Sequence, residues 1–505
     1  MILEIILFCL ILGLAKICIL PKKHGSLPPG PPPLPIIGNI HQIFGKDVHH
    51  KFCKWSKEYG KLYTAKFGNR RVLVISDPKH VKNLFSHPAS NGRFIMEMFH
   101  VLGRGPYGVV NTEGNLWSEQ RNFCIRTLKS FGFNGSSRAA LESQILQDLQ
   151  HTLNDLSIKT VPVPIFNYIK RWQSKVMWKI ITGERETTQT SEDCYDKVAF
   201  LTNNYLIAMG NAVETGLAFL PWLKYLAPER SGYNNLRKGA DKLHDLVTDQ
   251  LNKRMSEFSP GSAKSIMEAY GEKLRCCNDP KSTFHGEVGM LNSISTLLEL
   301  LSASGDTIPH SVNWLMLYVS HHQNVQQKLC EEINHVIGND RCPSLLDRIN
   351  MPYCEAVIQE VLRFSSVAWM GVPHQLMADI DFEGYTLTKG LILLPNLYFI
   401  HHDPATWGDP ENFRPERFIG KDGSFVRHDC MMPFGVGKRV CFGESLARDL
   451  MFLFIVKFFQ TLNVFPESSE TSPDFNPNFG LILTAKPFNV NTKRRIAFST
   501  NCYLR

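Results

Sequence analysis

One stretch limits what this chain can fold into more than any other: Phe434-Gly435-Val436-Gly437-Lys438-Arg439-Val440-Cys441-Phe442-Gly443-Glu444. Glycines at 435, 437 and 443 let the backbone turn tightly and come close to a flat group. A thiolate is unstable when buried alone. Amides freed by such a loop, and the N-terminus of a helix predicted from Glu444 onward, can donate to the sulfur and lower its pKa. Arg439, two residues away, adds a positive charge suited to a carboxylate. The plain alternative is a buried, inert cysteine.

The other cysteines set the context. There are 13, an odd number, scattered, with only Cys276 and Cys277 adjacent and no C-x-x-C pair. Neither a zinc site nor a disulfide framework is indicated, and reduced thiols in a cytosol-facing protein are expected. At 505 residues, 43% hydrophobic and 20% charged, the chain is globular and can bury a large core. A net charge of +8 without a long basic run speaks against nucleic-acid binding, and leaves room for a basic face toward a membrane or an acidic protein.

Residues 2–20 (ILEIILFCLILGLAKICIL) are apolar, interrupted by Glu4 and Lys16. As a helix they would reach about 28 Å, close to a bilayer's hydrocarbon core. A cleaved secretory signal is the rival, but the leader has no basic n-region and no clear A-x-A-like cleavage site. Lys22, Lys23 and His24 follow directly, which puts the bulk of the chain on the cytoplasmic side. Pro28-Pro29-Gly30-Pro31-Pro32-Pro33-Leu34-Pro35 cannot continue a helix and predicts a stiff extended linker. Beyond it, residues 62–76 (LYTAKFGNRRVLVIS) read as a hairpin around Gly68-Asn69. Residues from about 80 to 370 are mostly helical in spacing, strands return around 380–394, and residues 259–265 (SPGSAKS) read as a surface loop.

Further motifs stand at informative positions. Glu360 and Arg363 are i,i+3 neighbours on a predicted helix, with Pro415-Glu416-Arg417-Phe418 downstream. Trp117 and Arg121 share a helix face at i,i+4, with Arg104 in the loop before them and Pro373-His374 after the E-x-x-R helix. Residues 297–319 form a long apolar helix carrying Ala303-Ser304-Gly305-Asp306-Thr307. A hydroxyl beside a carboxylate can hold a water and relay protons.

Together these motifs are similar to those of the cytochromes P450. The loop resembles the haem-binding pattern F-x-x-G-x-R-x-C-x-G, with Phe434, Gly437, Arg439, Cys441 and Gly443 each in place. The helix resembles A-G-x-[D/E]-T. The resemblance is closest to the animal microsomal drug- and steroid-metabolising group. It implies a mainly α fold with a small β-rich region: a membrane anchor over residues 1–20, a basic, proline-rich linker over 21–36, and a haem-thiolate catalytic domain over 37–505. Haem b would be bound through Cys441 as iron ligand, with Arg104, Trp117, Arg121, His374 and Arg439 on its carboxylates. Glu360, Arg363 and Arg417 would brace the loop, and Asp306 with Thr307 would deliver protons for O–O cleavage. Residues 94–110, 367–372 and 479–482, with Leu298, Leu301 and Ala303, would line the pocket of a lipophilic substrate.

Electrons would come from NADPH through cytochrome P450 reductase, with cytochrome b5 as a further partner, docking where Lys438, Arg448 and Arg126 offer positive charge. The implied place is the endoplasmic-reticulum membrane, catalytic domain in the cytoplasm. The implied reaction is hydroxylation or epoxidation, with steroid or terpenoid hormone metabolism ahead of broad xenobiotic detoxification. A P450-type isomerase or dehydratase would have less use for Asp306-Thr307, and a non-catalytic haem carrier or sensor would need neither the relay nor the substrate loops. Two residues depart from the pattern. Ser304 replaces a glycine and can bond back to the preceding turn, and Pro309 removes the donor to the Gly305 carbonyl, so a local opening is expected there. Such an opening would sustain the oxygen-binding groove, alter proton delivery, or be a plain kink without catalytic consequence.

Overall fold

The computed structural model describes residues 27–43, 45, 47–130, 138–183, 189–257, 261, 263–468 and 474–495. The expected anchor and the linker up to residue 26 lie outside the described residues, as does part of the loop expected at 259–265. Among the described residues no helix is long and apolar enough to cross a membrane.

Alternating burial in β1 (Leu62–Phe67) and a continuous buried apolar run at the end of β2 (Arg70–Ile75) build the expected antiparallel hairpin around Gly68-Asn69. The end of the proline-rich segment does not stand clear of it. Thr64 N donates to Pro29 O at 3.1 Å, and the Asn39 amide donates to Pro31 O and Pro32 O. Gly30 permits the approach, because a Cβ there would come within 1.9 Å of Thr64 O. With β3 (Gly92–Arg93), β4 (His374–Gln375) and β7 (Ile392–Pro395), the hairpin forms a five-stranded sheet in the order β1-β2-β7-β4-β3. The other strands predicted near 380 are a small hairpin, β5 (Ile380–Phe382) with β6 (Tyr385–Leu387), and β8 (Leu462–Pro466) pairs with β9 (Val490–Arg494).

The remainder is chiefly helical. The helices that bear on the site are α1 (Val48–Tyr59), α2 (Gly114–Leu128), α3 (Ile165–Thr182), α4 (Gln189–Glu214), α5 (Gly286–His321), α6 (Pro352–Ser365) and α7 (Glu444–Thr461). α5 is apolar nearly all round, and buried from Asn292 to Ser302 and again from Ser311 to Ser320, as a helix packed on every side must be. α3, α4, α6 and α7 all pack against it. The chain stays helical on both sides of Pro309. The expected opening is thus no more than a carbonyl, that of Gly305, whose helical donor the proline ring has replaced.

Glu360 and Arg363 lie wholly inside the fold. The guanidinium donates to both carboxylate oxygens, at 2.7 and 2.8 Å, and also to His401 O and Pro410 O. Arg417 Nε reaches Glu360 Oε1 at 3.2 Å, and Arg414 N reaches it at 2.8 Å. Two cations and a backbone amide therefore satisfy one buried carboxylate. The network continues toward the cysteine loop through His401, whose Nε2 accepts from Met432 N at 3.3 Å. Burial, then His402 and Arg363, hold this ring neutral with a pKa lowered to about 3. Its other nitrogen, Nδ1, accordingly carries the proton and donates to Ser366 Oγ, which itself donates to Arg363 O.

A second buried carboxylate ties a loop to α5. One Glu299 oxygen accepts from Val109 N at 2.6 Å and Val110 N at 3.0 Å, while Asn292 Oδ1 accepts from Gly108 N. Gly108, at φ +92°, is needed here, since a Cβ would stand 2.5 Å from Glu299 Oε2. Burial raises the Glu299 pKa from 4.5 to about 7, against the pull of the loop amides and of Arg93.

Two outcomes follow from these networks. Arg363→Ala leaves the Glu360 charge short of its closest partner and should destabilise the fold by about 3–5 kcal/mol, seen as a lowered urea midpoint. The Glu299 carboxyl holds its proton more tightly in the folded chain than in the unfolded one. Its contribution to stability is therefore present at low pH and is lost as pH rises from the unfolded value through about 7. In melting experiments between pH 5 and pH 8, wild type should lose stability relative to Glu299→Gln as the pH is raised.

Candidate active site

The cysteine loop begins with Gly435 N bonded to Met432 O and closes with Cys441 N donating to Phe434 O at 2.9 Å. Between them Gly437–Arg439 makes one tight turn. Gly437, at φ +76°, lies so close to the end of the helix Pro78–Ser86 that a Cβ would meet Phe85 O at 2.2 Å. α7 starts at Glu444, as predicted, and the N–H groups of Gly443 and Glu444 point at the cysteine sulfur. Burial in the fold raises the Cys441 pKa; those two amides and Arg121 oppose the rise. The sulfur is deep, yet the residue is exposed rather than packed over. Such a thiol is held for contact with something other than core.

Cationic side chains converge beside the loop. Arg439 donates to Asn91 O at 3.0 and 2.7 Å and to Thr112 O at 2.6 Å, and its guanidinium lies 4.0 Å above the Trp117 ring. Its remaining nitrogen, Nη1, is buried with no partner among the described residues. Arg121, one helical turn from Trp117 on α2, donates to Val440 O at 2.6 Å. Arg93 of β3 is directly across from His374 of β4 and donates to Val110 O, Val372 O and Pro373 O. His374 Nδ1 donates to Ser90 O at 2.8 Å, and burial followed by the charge of Arg93 keeps its ring neutral.

The electrostatics show how crowded this positive charge is. Burial, then the charges of Arg93 and Arg121, lower the Arg439 pKa to about 9. Arg93 is lowered to about 10, again chiefly by burial. Glu299 opposes both shifts, and Glu113 opposes that of Arg439. An orphaned guanidinium nitrogen among two buried arginines and a half-buried third calls for an anion.

Trp117, Arg121, His374 and Arg439 are thus brought together near Cys441, and Arg104 is not with them. Arg104 sits at φ +51° past a short helix (Glu97–Leu102), and its guanidinium pairs at the surface with Asp241 and Asp245, at 3.3 and 3.2 Å. Arg93 stands in the cluster instead. Nothing local in the sequence marks Arg93, because its role depends on a two-residue strand pairing with residues some 280 positions away.

On α5, Ala303 is exposed and Thr307, one turn on, is half-buried, within a helix that is otherwise packed. Thr307 Oγ1 donates to Ala303 O at 2.8 Å, and Ser304 Oγ bonds back to Leu300 O at 2.7 Å, as expected of a serine there. Asp306 does not share this face. Adjacent helical residues point about 100° apart, and the Asp306 carboxylate lies 3.5 Å from His310 Nε2 on the side of α3. Burial raises its pKa to about 6, and Lys170 of α3 opposes the rise.

Several expected pocket residues are core here. Leu298, Leu301 and Trp369 are buried; Trp369 donates to Gly480 O and packs its ring on Phe52 and Phe479. Of the expected docking cations, Lys438 and Arg126 are exposed, while Arg448 is engaged by Glu444 and Gln359.

Comparison with known proteins agrees with this arrangement. A family model described as Cytochrome P450 matches residues 28–492. The chain is similar to a farnesoate epoxidase of Bombyx mori, 31% identical over 99% of this chain and 100% of that protein. It is also similar to cytochrome P450 2U1 of Rattus norvegicus, at 29% identity over 94% of this chain and 92% of that one. Cytochrome P450 18a1 of Drosophila melanogaster is 26% identical over 94% of this chain and 88% of its own length. The accessible buried cysteine, the mainly helical fold and a family match over nearly the whole chain lead to one conclusion: this chain belongs to the cytochrome P450 family of haem-dependent monooxygenases.

Proposed function

We propose that this protein inserts one oxygen atom of O2 into a lipophilic isoprenoid-like substrate, by epoxidation or hydroxylation. The observation that carries the haem site is the orphaned, buried Arg439 Nη1 beside an accessible Cys441. In this reading Cys441 ligates the iron, and Arg93, Trp117, Arg121, His374 and Arg439 hold the carboxylates of haem b. When bound, the haem supplies the site where O2 is reduced and activated.

The chain's own residues supply the rest. The amides of Gly443 and Glu444 stabilise the anionic sulfur. The sequence order Asp306-Thr307 puts a carboxyl that titrates near neutrality next to a hydroxyl on the Ala303 face, so a proton can be handed from one side of α5 to the other. The apolar segments 94–110, 367–372 and 479–482 would exclude water and orient a lipophile through few polar contacts. A terpenoid acid or ester is the preferred substrate class, because a full-length relative carries the name farnesoate epoxidase. Electrons are assigned to NADPH through a flavoprotein reductase, with exposed Lys438 and Arg126 toward its acidic face. Residues 1–20 are assigned as the anchor of an endoplasmic-reticulum protein.

Two experiments bear on this function. Arg93→Ala should weaken haem retention by about tenfold or more, the worth of a charge-assisted hydrogen bond of about 1.5–3 kcal/mol, whereas Arg104→Ala should leave it unchanged. Haem transfer to an acceptor globin measures both. A titration series of farnesoate, its methyl ester, a steroid and a planar xenobiotic, followed by the haem spin-state shift, should favour the isoprenoids. Tightest binding of the steroid or the xenobiotic would move the substrate class accordingly.

A further inference from the structure

The face of α3 that meets α5 repeats polar and aromatic residues at helical spacing: Phe166, Lys170 and Gln173. Each touches the middle of α5 or its neighbour. Gln173 Nε2 donates to Ser304 O at 2.8 Å, and Gln173 Oε1 is buried without a partner. The Phe166 ring stacks on His310 with centroids 4.6 Å apart, and Lys170 Nζ lies 5.5 Å from the same Phe166 centroid. Lys170 also donates to Asn203 of α4. His310 is clamped between Phe166 and the Asp306 carboxylate, and its Nδ1 is buried without a partner.

This is a costly arrangement for a purely structural contact. A lysine, a histidine and an aspartate share a part-buried seam one turn from Thr307, and three polar atoms near it (Gln173 Oε1, Thr202 Oγ1 and His310 Nδ1) have no partner among the described residues. Thr202 of α4 closes the seam against Gly305, where a Cβ would come within 3.1 Å of its methyl group.

We propose that His310 and Lys170 are positioning residues that hold the Asp306 carboxyl on the α3 side of α5, so that protons for oxygen activation enter through the seam between α3 and α4 and not through the substrate side. The proposal rests on reading Asp306 and Thr307 as the proton-delivering pair. One proton from solvent joins Asp306 on the α3 side and one leaves it toward Thr307; no electrons move in this step. Lys170 is the charged group that faces Asp306 from α3. His310 on α5 is kept neutral by burial and by Lys170, its pKa lowered to about 3, and α4 contributes the uncharged Thr202 and Asn203. Lys170 therefore restrains the rise that burial imposes on the carboxyl's pKa, and His310 sets where the carboxyl points.

The test uses full-length holoprotein and two readouts. In pH-dependent infrared difference spectra, the protonated-carboxyl band that disappears in Asp306→Asn reports the titration of Asp306. Its midpoint should rise by about one pH unit in Lys170→Met, where the neighbouring positive charge is lost, and stay in place in Lys170→Arg. Product formed per NADPH consumed should fall in His310→Leu and be retained in His310→Gln, whose amide can stand in for Nε2 as a donor. An unmoved midpoint in Lys170→Met, or a loss of coupling in His310→Gln as large as in His310→Leu, would overturn the proposal. Unchanged coupling in Asp306→Asn would instead remove the proton-delivery reading while leaving the infrared result standing.

Discussion

A sulfur that is deep inside a protein and still reachable imposes itself on everything around it. Cys441 sits where burial disfavours its anion, so the surroundings must favour that anion by other means. The start of α7 aims two amides at it, and a loop with glycines at 435, 437 and 443 leaves no side chain to cover it. The loop cannot keep this shape alone. Gly437 is pressed against the Phe85 carbonyl, and the approach to Phe434 is pinned by Met432 on His401, which in turn rests on Arg363 and Glu360. The buried ion network is therefore best understood as a specification of geometry: an apolar replacement of equal volume could match its stability but not fix the loop through His401.

The same economy of charge governs the far side of the site. Three guanidiniums packed together are unfavourable, and backbone carbonyls absorb only part of their donor capacity. Carboxylates from a bound cofactor would relieve both the crowding and the orphaned Arg439 nitrogen. The 108–111 loop that Glu299 ties to α5 also supplies the Val110 carbonyl to Arg93, so the loop and the cationic cluster are braced together.

How much of this was legible beforehand varied with the range of the interaction. Cys441, Arg439 and the α7 start are encoded within a dozen residues, and both Trp117 with Arg121 and Glu360 with Arg363 follow from helical spacing alone. Arg93 was hidden because its partner His374 is reached only by a short long-range strand pairing. Arg104 was misleading for the opposite reason: its position in the chain was suggestive, but its backbone turns it toward two aspartates on a neighbouring helix. Asp306 and Thr307 are adjacent in sequence, and helical geometry separates them onto two faces. No local pattern announces that Phe166, Lys170 and His310 meet, since that depends on how α3 crosses α5.

The most direct test of thiolate ligation by Cys441 is the carbon monoxide difference spectrum of the reduced holoprotein. The structure predicts the strongly red-shifted Soret band that a thiolate opposite carbon monoxide produces, and its replacement by the band of an imidazole-ligated haem in Cys441→His. A haem-loaded wild type that shows only the imidazole-type band, or a Cys441→His variant that keeps the thiolate band, would contradict it.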